Sequence, residues 1–170
     1  MTSAPYMVTR NQIERKAFET LQAAGVEGEL PVPLEKIAAY LGYQSVGFRP
    51  GPLDADAAKV SGMIDYSARK IFVNASESLA RQRFTLAHEL GHAVLHENTG
   101  SKIVDFRADL DNPAPGKESD ANQFAAALLM PREAFIEQWL INKCDVDALA
   151  RVFGVSRQTA EIRCKSTVKP

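Results

Sequence analysis

The sequence predicts a helix-rich α+β domain with one small antiparallel sheet. Several segments repeat apolar residues at spacings of three and four, which is typical of amphipathic helices. Two short apolar runs near residues 59–65 and 70–74 are separated only by Tyr66-Ser67-Ala68-Arg69, a connection short enough for an antiparallel hairpin. The length of 170 residues fits one domain. We therefore treat residues 1–170 as a single domain, with a core at about 10–141 and a helical tail at about 144–166.

The helical pattern begins at Arg10 and ends near Ala24, before Gly25. Pro31 and Pro33 open a short second helix that ends at Gly42. The longest helix should begin near Ser76, with Asn74 or Ser76 as its N-cap, and run to about Glu97. Further helices are predicted at 118–130 and 132–141 and, around a turn at Gly154, in the C-terminal tail.

Three strands are predicted, at about 44–48, 59–65 and 70–74, and Pro50-Gly51-Pro52 separates the first from the hairpin. The polar stretch 98–117 contains Pro113, Pro115 and Gly116. Because so long a connection is uncommon in a compact domain, we expect a functional or a disordered loop there.

Composition excludes several classes of protein. Twenty basic and 21 acidic residues give a net charge of −1, so bulk charge provides no drive toward nucleic acid or anionic lipid. The two cysteines, Cys144 and Cys164, form neither a disulfide framework nor a cysteine-rich zinc site. No apolar run approaches the ~20 residues of a membrane span, and no secretory signal is evident. We expect a cytoplasmic protein with no membrane association.

All three histidines lie between His88 and His96, and the first two belong to a His-Glu-x-x-His motif in a strongly helical segment. Residues four apart share a helical face, so His88 and His92 can bind one metal ion. Glu89 is rotated by about 100° from that direction, where its carboxylate can take a proton from the attacking water. The spacing predicts two metal ligands and a general base on one helical turn.

The third ligand should come from another element. His96 lies about 12 Å along the helix from His88, too far to share an ion unless the helix breaks. The candidates are Glu118 and Asp120, which both lie in the first turn of the helix predicted at 118–130. Glu118 is favoured because it borders the buried stripe beside Asn122, although it could also be a solvated carboxylate favoured by the helix dipole. His96 and Asn122 are then candidates for residues that contact and orient the ligands.

With these residues in view, the sequence resembles the ImmA/IrrE family of zinc metallopeptidases. The similarity is strongest at Ile71-Phe72-Val73-Asn74, in the segment from Gln82 to His92, and in the segment from Glu118 to Pro131. The resemblance implies a gluzincin-like, zincin-like fold in which His88, His92 and Glu118 bind Zn²⁺ and Glu89 is the catalytic base. Other divalent ions such as Mn²⁺ are also compatible with two histidines and a carboxylate.

The resemblance also implies a substrate. Family members typically cleave a transcriptional repressor of the Xre type and so relieve repression. This chain is too short for a repressor domain of its own, so the partner should be supplied in trans.

Three residues are candidates to donate the hydrogen bond that stabilises the oxyanion, namely Tyr66, His96 and Arg107, and the sequence does not select one of them. Zincin-like enzymes usually hold extended substrate along a strand edge, and we expect that edge to be Ser61-Gly62-Met63-Ile64-Asp65, the outer half of the hairpin.

The C-terminal helices resemble a helix-turn-helix, with Gly154 in the turn and Arg157 and Gln158 placed to face base edges. Their apolar residues suit a packed helical hairpin equally well, so we expect a structural role and no direct DNA binding. Two other functions remain as alternatives. One is a non-catalytic, zinc-containing module that binds a partner in a regulatory or toxin–antitoxin-like pair, and the other is a DNA-binding regulator.

Overall fold

The computed structural model describes residues 8–96, 102–106 and 116–167. This part of the chain contains the helices α1 (Arg10–Ala23), α2 (Leu34–Tyr40), α3 (Leu79–Leu95), α4 (Lys117–Leu129), α5 (Arg132–Ile141), α6 (Val146–Phe153) and α7 (Arg157–Thr167). Its strands are β1 (Gln44–Phe48), β2 (Val60–Asp65), β3 (Lys70–Asn74) and β4 (Lys102–Phe106). The helix-rich α+β prediction is confirmed.

The sheet differs from the predicted three-stranded antiparallel one. It has four strands in the order β1-β3-β2-β4, and β1 pairs parallel with β3, with Gln44 opposite Lys70 and Phe48 opposite Asn74. The hairpin of β2 and β3 is antiparallel as predicted. The fourth strand lies inside the stretch 98–117 that was expected to be a loop. The prediction of a purely antiparallel sheet was wrong because the connection after β1 crosses to the far side of β3.

The strand β2 is an interior strand. It pairs antiparallel with β3 on one side and with β4 on the other, with Met63 opposite both Phe72 and Val104. The expectation that Ser61–Asp65 form an exposed edge was therefore wrong, because the backbone groups of β2 are used by two neighbours. On this side of the sheet the outer strand of the described chain is β4.

The helix α3 is capped two residues after Ser76, the later of the two predicted caps. Ser78 is its N-cap and accepts a hydrogen bond from the Arg81 backbone N–H. Asn74, one of the two predicted caps, instead ends β3: its side-chain amide donates to the Val60 carbonyl and its oxygen accepts from the Ser76 backbone N–H. The end of β3 is thereby tied to β2 before the chain enters the helix.

The core lies between α3, α4 and α1, with the sheet on the other face of α3. At Gly91 the two helices α3 and α4 approach so closely that a Cβ would lie 3.2 Å from the Ala121 backbone and from the Phe124 ring. Glycine at this position is what allows the first turn of α4 to lie beside the histidines of α3.

The C-terminal helices pack onto the core through a buried arginine. Arg163 of α7 is 2% exposed, pairs with Glu14 of α1, and donates to the carbonyl of Met130. Arg157, at the start of α7, is exposed and pairs with Asp147 and Glu161. Among the described residues no helix is long and apolar enough to cross a membrane.

Candidate metal centre

The two histidines of α3 face one another at its buried end. The Nε2 atoms of His88 and His92 lie 3.0 Å apart, and both side chains are almost fully buried. Their four-residue spacing on a helix places both rings on one face, with centroids 4.7 Å apart in an edge-to-face arrangement. Two imidazole nitrogens are thus aimed at one point.

The structure brings Glu118 of α4 to the same point. One carboxylate oxygen lies 3.2 Å from His88 Nε2 and the other lies 3.3 Å from His92 Nε2. Hydrogen bonds from the two imidazoles hold the pKa of Glu118 far below its ordinary value, so the group stays an anion. Among the described residues the groups able to hold a metal together are His88, His92 and Glu118, and Asp120 is not part of this set.

The spacing of the three donors fits a metal ion. Tetrahedral coordination with ligand distances of roughly 2.05 Å places donor atoms about 3.3 Å from one another. The three separations here are 3.0, 3.2 and 3.3 Å. Two imidazoles and one carboxylate are also a donor set that suits Zn²⁺ and related divalent ions while leaving one coordination position open. The residues present therefore fit the divalent ion that the sequence predicts.

Asn122 fixes the orientation of His88. The Asn122 side-chain oxygen lies 2.7 Å from His88 Nδ1. An amide oxygen can only accept, so Nδ1 of His88 donates, and Nε2, the nitrogen that faces His92 and Glu118, is the one whose lone pair would bind a metal ion once its proton is displaced. Because Asn122 follows Glu118 by four residues on α4, a single helical turn supplies one ligand and the residue that orients another.

Glu89 is completely buried and lies against β2. A Cβ at Gly62 would be 2.9 Å from Glu89 Oε1 and 2.4 Å from the Thr85 methyl group. Only glycine fits between this strand and the carboxylate. Sequence reasoning placed Gly62 among the substrate-binding residues and did not find this contact, because nothing local indicates which helix a strand glycine will meet.

The remaining residues of the predicted substrate edge have other partners. The Ser61 hydroxyl lies 3.1 Å from Glu77 Oε1, and Asp65 accepts hydrogen bonds from the Ser67 and Ala68 backbone N–H groups in the turn between β2 and β3. Ile64 is fully buried, and Met63 is half-buried. These positions build the sheet beneath the site.

His96 lies just beyond α3, where the chain has left helical geometry. Its Nε2 donates to the Lys117 carbonyl at 3.1 Å, and its ring centroid is 5.3 Å from that of His92. Burial lowers the pKa of His96, which keeps the ring neutral. His96 therefore joins the end of α3 to the start of α4 and contacts the predicted metal ligand His92.

Two other residues were candidates to stabilise the oxyanion. Tyr66 is buried and directly follows β2, whereas Arg107 lies outside the described residues.

The chain is similar in sequence to several known proteins. An immunity-region protein of Bacillus phage phi105 is 28% identical over 65% of this chain and 70% of its own length. The radiation response metalloproteases IrrE of Deinococcus radiodurans and Deinococcus deserti are 29% and 31% identical, each over 58% of this chain. These matches span 34% and 40% of the two IrrE proteins, so the chain corresponds to a minor part of their length.

A solved structure has the same fold. A transcriptional regulator of Mycobacterium tuberculosis superposes with a TM-score of 0.64 over 94% of this chain and 48% of its own, at 20% identity. The IrrE N-terminal-like domain, a peptidase family, matches residues 49–165, which include the His88, His92 and Glu118 group. The match covers more than half of the sequence, and the chain belongs to this metallopeptidase family.

Proposed function

We propose that the protein is a zinc-dependent endopeptidase that cleaves a transcriptional repressor of the Xre type and so relieves repression. The observation that carries the proposal is the pairing of a three-donor metal site with a fully buried carboxylate, Glu89, from the same helical turn. A site that only held the domain together would need the ligands but not this carboxylate. Zn²⁺ is the expected ion, with Mn²⁺ as the other candidate.

The residues divide the work of hydrolysis between them. His88, His92 and Glu118 would hold the divalent ion, which when bound supplies Lewis acidity toward the peptide carbonyl. Glu89 takes a proton from the attacking water as the new C–O bond forms. The same carboxylic acid then gives that proton to the amide nitrogen as the C–N bond breaks. The burial of Glu89 beside Gly62 excludes bulk water from this carboxylate.

Extended substrate needs a free strand edge beside the site, and β2 does not offer one. Within the described ranges 8–96, 102–106 and 116–167, the outer strand on this side is β4, which pairs with β2 beside Gly62. We propose that a segment of the repressor adds to β4 by backbone hydrogen bonds, as in other cases of β-augmentation.

The test is a cleavage assay with Xre-type repressors from the same genome as the substrates. The purified protein, stripped of metal and then given Zn²⁺ or Mn²⁺, should cut one repressor at one site that mass spectrometry identifies. The metal-free protein should not cut it. Stable binding of the intact repressor with no cleavage under any metal would instead favour a non-catalytic partner-binding module.

A further inference from the structure

A second groove lies at the opposite end of α4 from the metal ligands. It runs between α1, the connection 26–32 and the start of α5, and its volume is about 350 Å³. Its floor is apolar and includes Phe18, Leu21, Val26, Leu30, Ala127 and Ala134. A groove of this size takes several apolar side chains.

The rim of the groove is strongly acidic. Five glutamates line it against one arginine, Arg132, in a chain whose acidic and basic residues are otherwise nearly equal in number. Glu14 pairs with Arg163 and Glu29 pairs with Lys36, so two of the carboxylates are neutralised. The remaining three are Glu27, Glu133 and Glu137. Glu133 and Glu137 lie one turn apart on α5, with no cation in ion-pair contact among the described residues.

Apolar surface continues beyond this rim. Ile141 follows Glu137 by four residues, so it lies on the same face of α5, and it is 62% exposed. Phe18 of α1, on the opposite wall, is 37% exposed. An apolar strip flanked by carboxylates is complementary to a helix with an apolar face and basic flanks.

We propose that this groove is a docking site for a basic amphipathic helix of the protein that the metal centre cleaves, and the proposal rests on the function proposed above. Helices that bind DNA have this character, because they combine core-facing apolar residues with lysines and arginines for phosphate. Ala127 lies nine residues after Glu118 on α4, about 14 Å along the helix axis and half a turn around it, so the groove and the metal ligand lie on opposite faces of α4. A path around the helix between them is roughly 20–25 Å long, and about seven residues of extended chain span it. One substrate that passes around α4 can therefore occupy both places.

The direct test measures binding without hydrolysis. The probe is a fluorescent model helix of about 18 residues with leucine on one face and lysine on the other, compared with a peptide in which glutamate replaces lysine. We expect the lysine peptide to bind the whole protein at least about tenfold more tightly than the glutamate peptide, and more weakly as salt is raised. The double substitution Glu133→Lys and Glu137→Lys should weaken binding of the lysine peptide by about tenfold or more.

A matched variant controls for net charge. Glu19→Lys with Asp56→Lys makes the same change of charge at exposed acids that do not line the groove, and it should leave peptide binding within about twofold. Equal loss of binding in both double variants would overturn the proposal, as would equal binding of the two peptides. Thermal unfolding of each variant verifies that it is folded.

Cleavage of the repressor separates this proposal from the proposed function. The groove variant should raise KM for the repressor by about tenfold and leave kcat and metal content unchanged. Cleavage with an unchanged KM would refute the docking site while the peptidase function stands. Retained peptide binding with no cleavage by the wild type would refute the peptidase function while the groove still binds its helix.

Discussion

At the scale of single residues, the metal site depends on the orientation of His88 as much as on its presence. The Asn122 side-chain oxygen, 2.7 Å from His88 Nδ1, selects the tautomer whose Nε2 can bind a cation. Glu118 is held as an anion by the same two imidazoles that complete the set. Two of the three ligand groups are thus held in their binding form by neighbouring side chains.

We expect Asn122→Leu to weaken metal binding by about 10- to 100-fold, because loss of the acceptor frees the His88 ring to change tautomer and orientation. Competition with a chromophoric chelator measures the change in Kd. Asn122→Asp keeps an acceptor and should retain most of the affinity. Gln123→Leu, at the adjacent position, is the control and should bind metal as the wild type does; equal affinities for the Asn122→Leu variant and the wild type would refute this role.

Gly62→Ala should destabilise the protein by about 1–3 kcal/mol, because the added methyl group has no space between Thr85 and Glu89. Urea denaturation measures the change in the free energy of unfolding. Gly47→Ala in β1 is a matched control, since a Cβ there would lie 3.4 Å from that of Ala75, an ordinary contact. A loss at Gly62 no larger than that at Gly47 would show that β2 and Glu89 are farther apart than described.

At the scale of elements, most helices and three strands follow from the sequence because their signals are local. Apolar periodicity defines α1 through the face of Ile13, Ala17 and Leu21, all of which are buried. The parallel pairing of β1 with β3 could not be predicted, since pairing depends on where the crossing connection runs. The strand β4 was missed because Lys102–Phe106 is a short run inside a polar stretch.

The candidate site was predictable to a similar extent. The spacing of His88, Glu89 and His92 fixes their relative directions on a helix. The sequence alone therefore indicates two metal ligands and a general base. Identifying Glu118 as the third ligand requires knowing how α3 and α4 pack together. The helical wheel alone only favours Glu118 over Asp120. The contact of Gly62 with Glu89 is a tertiary contact between a strand and a helix, and no local pattern reports it.

The helix α7 carries one buried arginine, Arg163, and one exposed arginine, Arg157, and we expect only the buried one to anchor the helix to the core. Arg163→Met should cost about 3–5 kcal/mol, because it leaves Glu14 partly buried without its cation and the Met130 carbonyl without its donor. Arg157→Met breaks an exposed pair and should cost less than about 1 kcal/mol. Chemical denaturation compares the two free energies of unfolding. Similar small losses in both variants would mean that α7 is not anchored through Arg163.

At the scale of the whole molecule, the metal site joins α3 and α4, the helices at the centre of the core. An ion that binds only the folded state stabilises it in proportion to the logarithm of its concentration over Kd. At about 100-fold excess over Kd the gain is about 2.7 kcal/mol, which corresponds to a rise in Tm of about 5–10 °C for a chain of this size.

Thermal unfolding with Zn²⁺ and with a chelator measures this gain. Glu118→Gln should lose most of the rise in Tm because it removes the anionic ligand. Asp120→Asn, on the same helical turn but outside the ligand set, should keep it. An equal rise in both variants would assign the third ligand elsewhere.

We propose that Glu89 acts as the general base in hydrolysis and is not a metal ligand. Metal content and repressor cleavage, measured on the same preparation of the Glu89→Gln variant, distinguish these two roles. We predict metal content equal to that of the wild type and a cleavage rate lower by at least about 100-fold, the usual contribution of a positioned general base. Cleavage at the wild-type rate with full metal content would show that Glu89 is not the general base.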